Sequence, residues 1–128
     1  MAIKFHNPKT VSVAGKYSLA GEVPAGLRTL YVSGQVGVNS EGKLAVGITE
    51  QVEQVWMNIA NVLKSADMGL GDIVKATIFL TDSRFIAPYR EVRDKFFKTA
   101  PYPASTLLVV AGLADPAMLV EVEVVAAK

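Results

Sequence analysis

The chain has 128 residues, 51% hydrophobic and 20% charged, with 13 basic against 12 acidic side chains, one His and no Cys. This composition excludes intrinsic disorder, a disulfide scaffold, thiol catalysis and zinc sites of the Cys type. The even charge balance leaves no broad field to draw in nucleic acid or an anionic membrane, and a single His argues against a His-centred triad or a multi-His metal site. Met1 to Pro8 lacks the apolar core of a secretory signal, and no apolar run approaches the ~20 residues of a spanning helix. The expectation is one cytoplasmic domain covering residues 1–128. Its apolar content is high for so small a domain, which predicts self-association.

In chain order, Gly15-Lys16-Tyr17 reads as a turn, most simply a hairpin with a packed Tyr. Residues 28–36 read as a strand with Leu30 and Val32 on one face and Tyr31 on the other. Ser40 to Lys43 is a turn before a short extended piece. Val52, Val55, Trp56, Ile59, Val62, Leu63 and Ala66 then keep the spacing of one buried helix face. Thr49 is the expected N-cap and Gly69 the C-terminal stop, with Glu53, Asn58, Asn61 and Lys64 on the polar side. Ile73 to Thr81 is a β-branched strand that alternates Ile73, Lys75, Thr77, Phe79 and Thr81 against Val74, Ala76, Ile78 and Leu80. A second helix follows a cap at Asp82-Ser83. Pro88 fits its first turn, Phe85, Tyr89, Val92 and Phe96 form its stripe, and Pro101 and Pro103 lie beyond its end. Ala104 to Ala111 reads as a strand buried on both faces. Met118 to Ala126 alternates Met118, Val120, Val122, Val124 and Ala126 with Leu119, Glu121, Glu123 and Val125.

Helices joining consecutive strands by right-handed crossovers lie on the same face of one mixed sheet. Two helices cover only that face. The other still carries Tyr31, Leu119 and Val125 and is expected to be buried against other copies of the chain.

Glu121 and Glu123, at i and i+2 on that aliphatic face, are the notable polar feature. A desolvated carboxylate needs a cation, a hydrogen bond or trapped water; it serves as a general acid or base, holds a reactive water, or forms a structural ion pair with a neighbouring subunit. Ser33-Gly34-Gln35 offers either a backbone that approaches a ligand closely or a β-bulge. His6 reads as surface. Trp56, Phe79, Phe85, Phe96 and Phe97 read as packing. No P-loop, dinucleotide, zinc or calcium pattern is present.

Several segments together resemble the Rid (YjgF) family of reactive-intermediate deaminases: Gly15-Lys16-Tyr17, Tyr31 to Val36, Thr49-Glu50-Gln51, Asn58-Ile59, Gly71 to Lys75, Phe96-Phe97, Tyr102-Pro103-Ala104 and Val120 to Glu123. The resemblance implies a chorismate-mutase-like α+β fold and a homotrimer with clefts between subunits. It also implies hydrolysis of enamine or imine intermediates to carbonyl products and ammonia, with no metal or other cofactor. Glu121 matches the acidic residue that positions or activates water, and Tyr17, Ser33 and Gly34 match cleft-lining positions. The family's Pro-Ala-Arg is here Pro103-Ala104-Ser105, which removes a bidentate clamp for a substrate carboxylate. Arg90 stands where the family often has Asn and offers a cation from another direction; Leu107 stands where it often has Cys. The resemblance therefore implies either a deaminase of altered or weakened substrate range, or a non-catalytic trimer that binds small carbonyl or carboxylate metabolites. RNA cleavage finds no support in a neutral chain with one His.

Overall fold

A computed structural model describes residues 2–128. A short antiparallel ribbon, β1 (Lys4–His6) with β2 (Ala20–Glu22), precedes β3 (Thr29–Val36), α1 (Ile48–Ser65), β4 (Ile73–Leu80), α2 (Ile86–Phe96), β5 (Ala104–Val109) and β6 (Val120–Ala127). The last four strands form one mixed sheet in the order β3-β6-β4-β5, parallel only between β4 and β5. This is the α+β arrangement expected from the sequence. The ribbon went unread because each of its strands is too short to show a period, and the expected hairpin at Gly15 to Tyr17 is instead part of the long loop joining them. The extended piece after Lys43 amounts to a single bridge between Val38 and Leu44.

Both helices pack on one face. Val32, Ala76, Ile78, Leu80, Val120, Val122, Val124 and Ala126 of the sheet meet Val52, Val55, Trp56, Ile59 and Leu63 of α1 and Tyr89 and Val92 of α2. The alternation of β6 puts every second side chain into this core, as its sequence requires. In β4 the alternation breaks once. Ile73 pairs with Ala126 and Lys75 with Val125, so Val74 is an extra residue. The resulting β-bulge turns Ile73, not Val74, toward the helices, and Val74 packs against Gly21 of β2, where a Cβ would lie 2.8 Å from Val74 Cγ1.

The ends of α1 differ from expectation. Its N-cap is Gly47 at φ 90°, and no side chain caps it; Thr49 lies inside the helix. At the other end Asp67 takes the left-handed conformation at φ 60°. The Met68 N–H donates to Leu63 O at 2.9 Å and the Asp67 N–H to Lys64 O at 3.0 Å, a Schellman closure made without glycine. Gly69 instead starts a single 3₁₀ turn, its N–H donating to Asp72 Oδ2 at 2.8 Å. Val62 lies at the edge of the stripe, 36% exposed. Asn58 is no solvent-facing residue: its Nδ2 donates to Val36 O at 3.2 Å and Val38 O at 2.8 Å, tying α1 to the exit of β3. Pro88 lies in the first turn of α2 as expected, but Asp82, which accepts from the Arg84 N–H, caps a single 3₁₀ turn over Ser83–Phe85 that leads into α2, and α2 itself has no side-chain cap.

Gln51 is buried in α1 and fully used. Its Nε2 donates to Ala45 O and Ala117 O at 3.0 Å each, and its Oε1 accepts from the Leu119 N–H at 2.9 Å. It staples the loops before α1 and before β6 onto the core. Gln51→Leu should leave these backbone groups unpaired at a cost of about 2–3 kcal/mol, lowering Tm by roughly 8–15 °C. Thermal unfolding followed by circular dichroism checks this; an unchanged Tm would contradict the role.

Candidate functional site

The face of the sheet away from the helices is bare in the protomer. Tyr31 is 79% exposed there and Leu108 44%. The expectation that β5 is buried on both faces is therefore not met within one chain: β5 is an edge strand, and on its helix-facing side Leu107 packs against the core. Phe79, expected in the core, also points to the bare face, because it lies opposite Glu121 in the register of β4 and β6.

Glu121 and Glu123 project from β6 onto this face and line one concavity with Gly34, Phe79, Val110, Gly112 and Leu113. In the register of β3 and β6, Val32 pairs with Val124 but Gln35 with Val122, so a β-bulge falls at Ser33-Gly34. The bulge lays the Gly34 backbone directly under the Glu121 carboxylate. A Cβ at Gly34 would overlap Oε2 and lie 2.8 Å from Cδ, so only glycine permits this seat. Ser33 is exposed alongside, and its carbonyl accepts from Gln35 Nε2 at 3.3 Å. Among the described residues neither Glu121 nor Glu123 has an ion-pair partner. Apolar walls around a carboxylate that is free to accept a hydrogen bond suit the handling of a water molecule.

The other expected residues gather elsewhere. Tyr17 and Arg90 line a groove with Gly15, Lys16, Arg93 and Asp94. Ser105 pairs in register with Ala76, so it points to the helix side and lines a small cavity that shares Lys16 and Arg93 with the groove. The loop carrying Tyr17 is held at the start of β5 by Ser18, whose N–H donates to Pro103 O at 3.0 Å and whose Oγ donates to Tyr102 O at 2.6 Å. One protomer thus unites Gly34 with Glu121 and Tyr17 with Arg90, places Ser105 in a cavity adjoining the Tyr17 groove, and keeps Ser105 and Glu121 on opposite sides of the sheet.

Lys16 and Arg93 are the cations that sequence reasoning missed. Asp94 Oδ2 accepts from Lys16 Nζ at 3.2 Å, and Asp94 Oδ1 accepts from Arg93 Nε and Nη2 at 3.1 and 2.9 Å. The spacing between Lys16 and Asp94, 78 residues, hides the pairing from any local pattern. Burial by itself pushes the Asp94 pKa up, but the hydrogen bonds from Arg93 and Lys16 outweigh it and hold the carboxyl below its ordinary range. His6 is exposed, as expected, with Nε2 2.7 Å from Glu22 Oε1.

The fold is mixed α+β, with a carboxylate over a glycine bulge on an uncovered sheet face. The chain belongs to the endoribonuclease L-PSP family, whose model matches residues 8–128, and this is the Rid (YjgF) family of the sequence resemblance. It is 38% identical over 123 residues to a RutC family protein of Aquifex aeolicus, covering 94% of this chain and 95% of that one. It is 33% identical over 120 residues to the 2-iminobutanoate/2-iminopropanoate deaminase of Mus musculus, covering 92% and 85%. Among solved structures, the Rid family protein YyfB of Yersinia pestis, described as of unknown function, matches over 100% of both chains with TM-score 0.90 and 29% identity. No helix is long and apolar enough to cross a membrane among the described residues.

A carboxyl whose folded pKa is lowered stabilises the protein fully above its ordinary pKa of about 3.9, and that contribution is lost as pH falls toward the folded value. Asp94→Asn should therefore lower Tm near neutral pH and lose less Tm than the wild type on acidification to about pH 3. Parallel thermal melts across that range check it; identical acid sensitivity in both proteins would remove Asp94 from the acid-labile set.

Proposed function

We propose that the chain hydrolyses small enamine or imine intermediates to a carbonyl product and ammonia, in clefts formed between the protomers of a homotrimer. The observation that carries this reading is the Glu121 carboxylate seated over Gly34 in a concavity walled by Phe79, Val110 and Leu113 on a bare sheet face. Glu121 accepts a proton from a water as the water oxygen bonds to the imine carbon. That proton passes to nitrogen to give the amino alcohol, and the carboxylate then carries the hydroxyl proton to nitrogen as the C–N bond breaks, so that the C=O forms and ammonia leaves. Exposed backbone at Ser33-Gly34 lies within reach of the substrate's polar end. The separation of Tyr17, Arg90 and Ser105 from Glu121 within one chain supports a cleft in which each protomer contributes one of the two groups. The name of the mouse relative supports the reaction class.

Ser105 favours a second reading. A hydroxyl supplies neither charge nor a forked donor for a carboxylate, so the cleft could be retained for binding alone. Assays that generate 2-iminobutanoate or 2-iminopropanoate in place, with and without the purified protein, decide between them. Catalysis predicts faster loss of imine, reduced about 100-fold in kcat by Glu121→Gln with folding retained. No acceleration by the native chain, with activity gained in Ser105→Arg, would reject hydrolysis of these imines and leave the binding reading.

A further inference from the structure

The cavity behind Ser105 has the attributes of a second, deeper polar site. It is lined by Trp56, Tyr89, Arg93, Lys16 and Ser105 against the apolar floor of Ala76 and Ile78, with about 20 Å³ of room, enough for one water-sized group. Trp56 is 1% exposed and Tyr89 0%. Neither Trp56 Nε1 nor Tyr89 Oη makes a well-formed hydrogen bond among the described residues, although the Trp56 N–H lies near enough to the Tyr89 oxygen to offset part of its burial; buried polar groups rarely stay so poorly paired. Burial pushes the Tyr89 pKa upward, so the hydroxyl stays protonated and able to donate. Arg93, whose side chain is 17% exposed, spends Nε and Nη2 on Asp94. Its remaining N–H groups have no acceptor among the described residues. At the mouth Lys16, Arg90 and Arg93 face Asp94 as the single anion, leaving a local excess of positive charge.

We propose that this cavity is an anion subsite that accepts one oxygen of a small carboxylate, donated to by Trp56 Nε1, Tyr89 Oη and Arg93, with Ser105 small enough to leave the entrance open. One oxygen inserted here meets two buried, poorly paired donors at once, and its charge is matched by Arg93 and Lys16. Water satisfies the same donors but gains little from the cations, so the excess charge selects an anion. Arg90, at the outer groove, is exposed and lines no part of the cavity itself. The cation that stands behind Ser105 is Arg93. The inference deepens the proposed cleft by naming where a substrate's carboxylate is held, yet its test needs no turnover.

Trp56 is the only tryptophan of the chain, so its emission reports on this cavity directly. Propionate is titrated against the full-length protein, with the neutral isostere propionamide as control. The expected result is a saturable change in emission, about tenfold or more tighter for propionate than for propionamide. Arg93→Gln should weaken it about tenfold, with partial rescue by Arg93→Lys, and Tyr89→Phe should weaken it severalfold. Ser105→Leu, which fills the entrance with charge unchanged, should abolish it; this variant keeps the test decisive if loss of the Arg93–Asp94 pair unfolds the chain. An emission that ignores propionate, treats the two probes alike, or persists unchanged in Ser105→Leu would overturn the proposal and leave a water-filled cavity. A protein that binds propionate here but hydrolyses no imine keeps this inference and loses the deaminase reading; the converse result does the reverse.

Discussion

The structure turns on how a four-stranded sheet is covered. Two helices bury one face and leave the other bare, and β6 runs through the middle with its side chains divided between them. Val120, Val122, Val124 and Ala126 go into the core, while Glu121, Glu123 and Val125 face outward. A strand held by hydrogen bonds on both edges cannot slip by one residue without reversing that division. The placement of Glu121 is thus inherited from the core, and the stability of the aliphatic half of β6 fixes the position of its chemical half.

The bulge at Ser33-Gly34 adds what the strand alone lacks. It brings backbone, with no side chain in the way, against the carboxylate. Binding and catalytic groups held on strands are located more tightly than groups on loops, and here both partners lie on paired strands. The opposite arrangement holds for the cationic cluster. Tyr17 and Lys16 ride on a long loop, fixed by Ser18 to the start of β5 and by Asp94 to α2. A rigid acid-bearing sheet and a tethered basic loop are well suited to form the two walls of a cleft between copies.

Much of this was legible in the sequence where a period ran long enough. The eighteen residues of α1 and the alternation of β6 and β4 gave element type and the buried side. What failed to show was what a single residue changes. One extra residue at Val74 reverses parity for Ile73, a left-handed Asp67 replaces the expected glycine stop, and Gln51 sits among apolar neighbours because three loop groups need it. In the candidate site, Gly34 and Glu121 were readable as features of their strands. Their contact was not, since it depends on register across the sheet. Arg93 and Lys16 were missed for a related reason: they meet Ser105 only through the path of the loop and the packing of α2. Arg90, the helix cation that the sequence offers, lies in the outer groove.

A sheet face bearing Tyr31, Phe79, Leu108 and Val125 stays in water only at a cost, and covering it creates the proposed cleft in the same step. The most direct measurement is therefore the mass of the native chain in solution, by light scattering at micromolar concentration. The account predicts a particle of three times the 13.7 kDa chain mass. A particle of one chain mass, persisting as concentration rises, would contradict it.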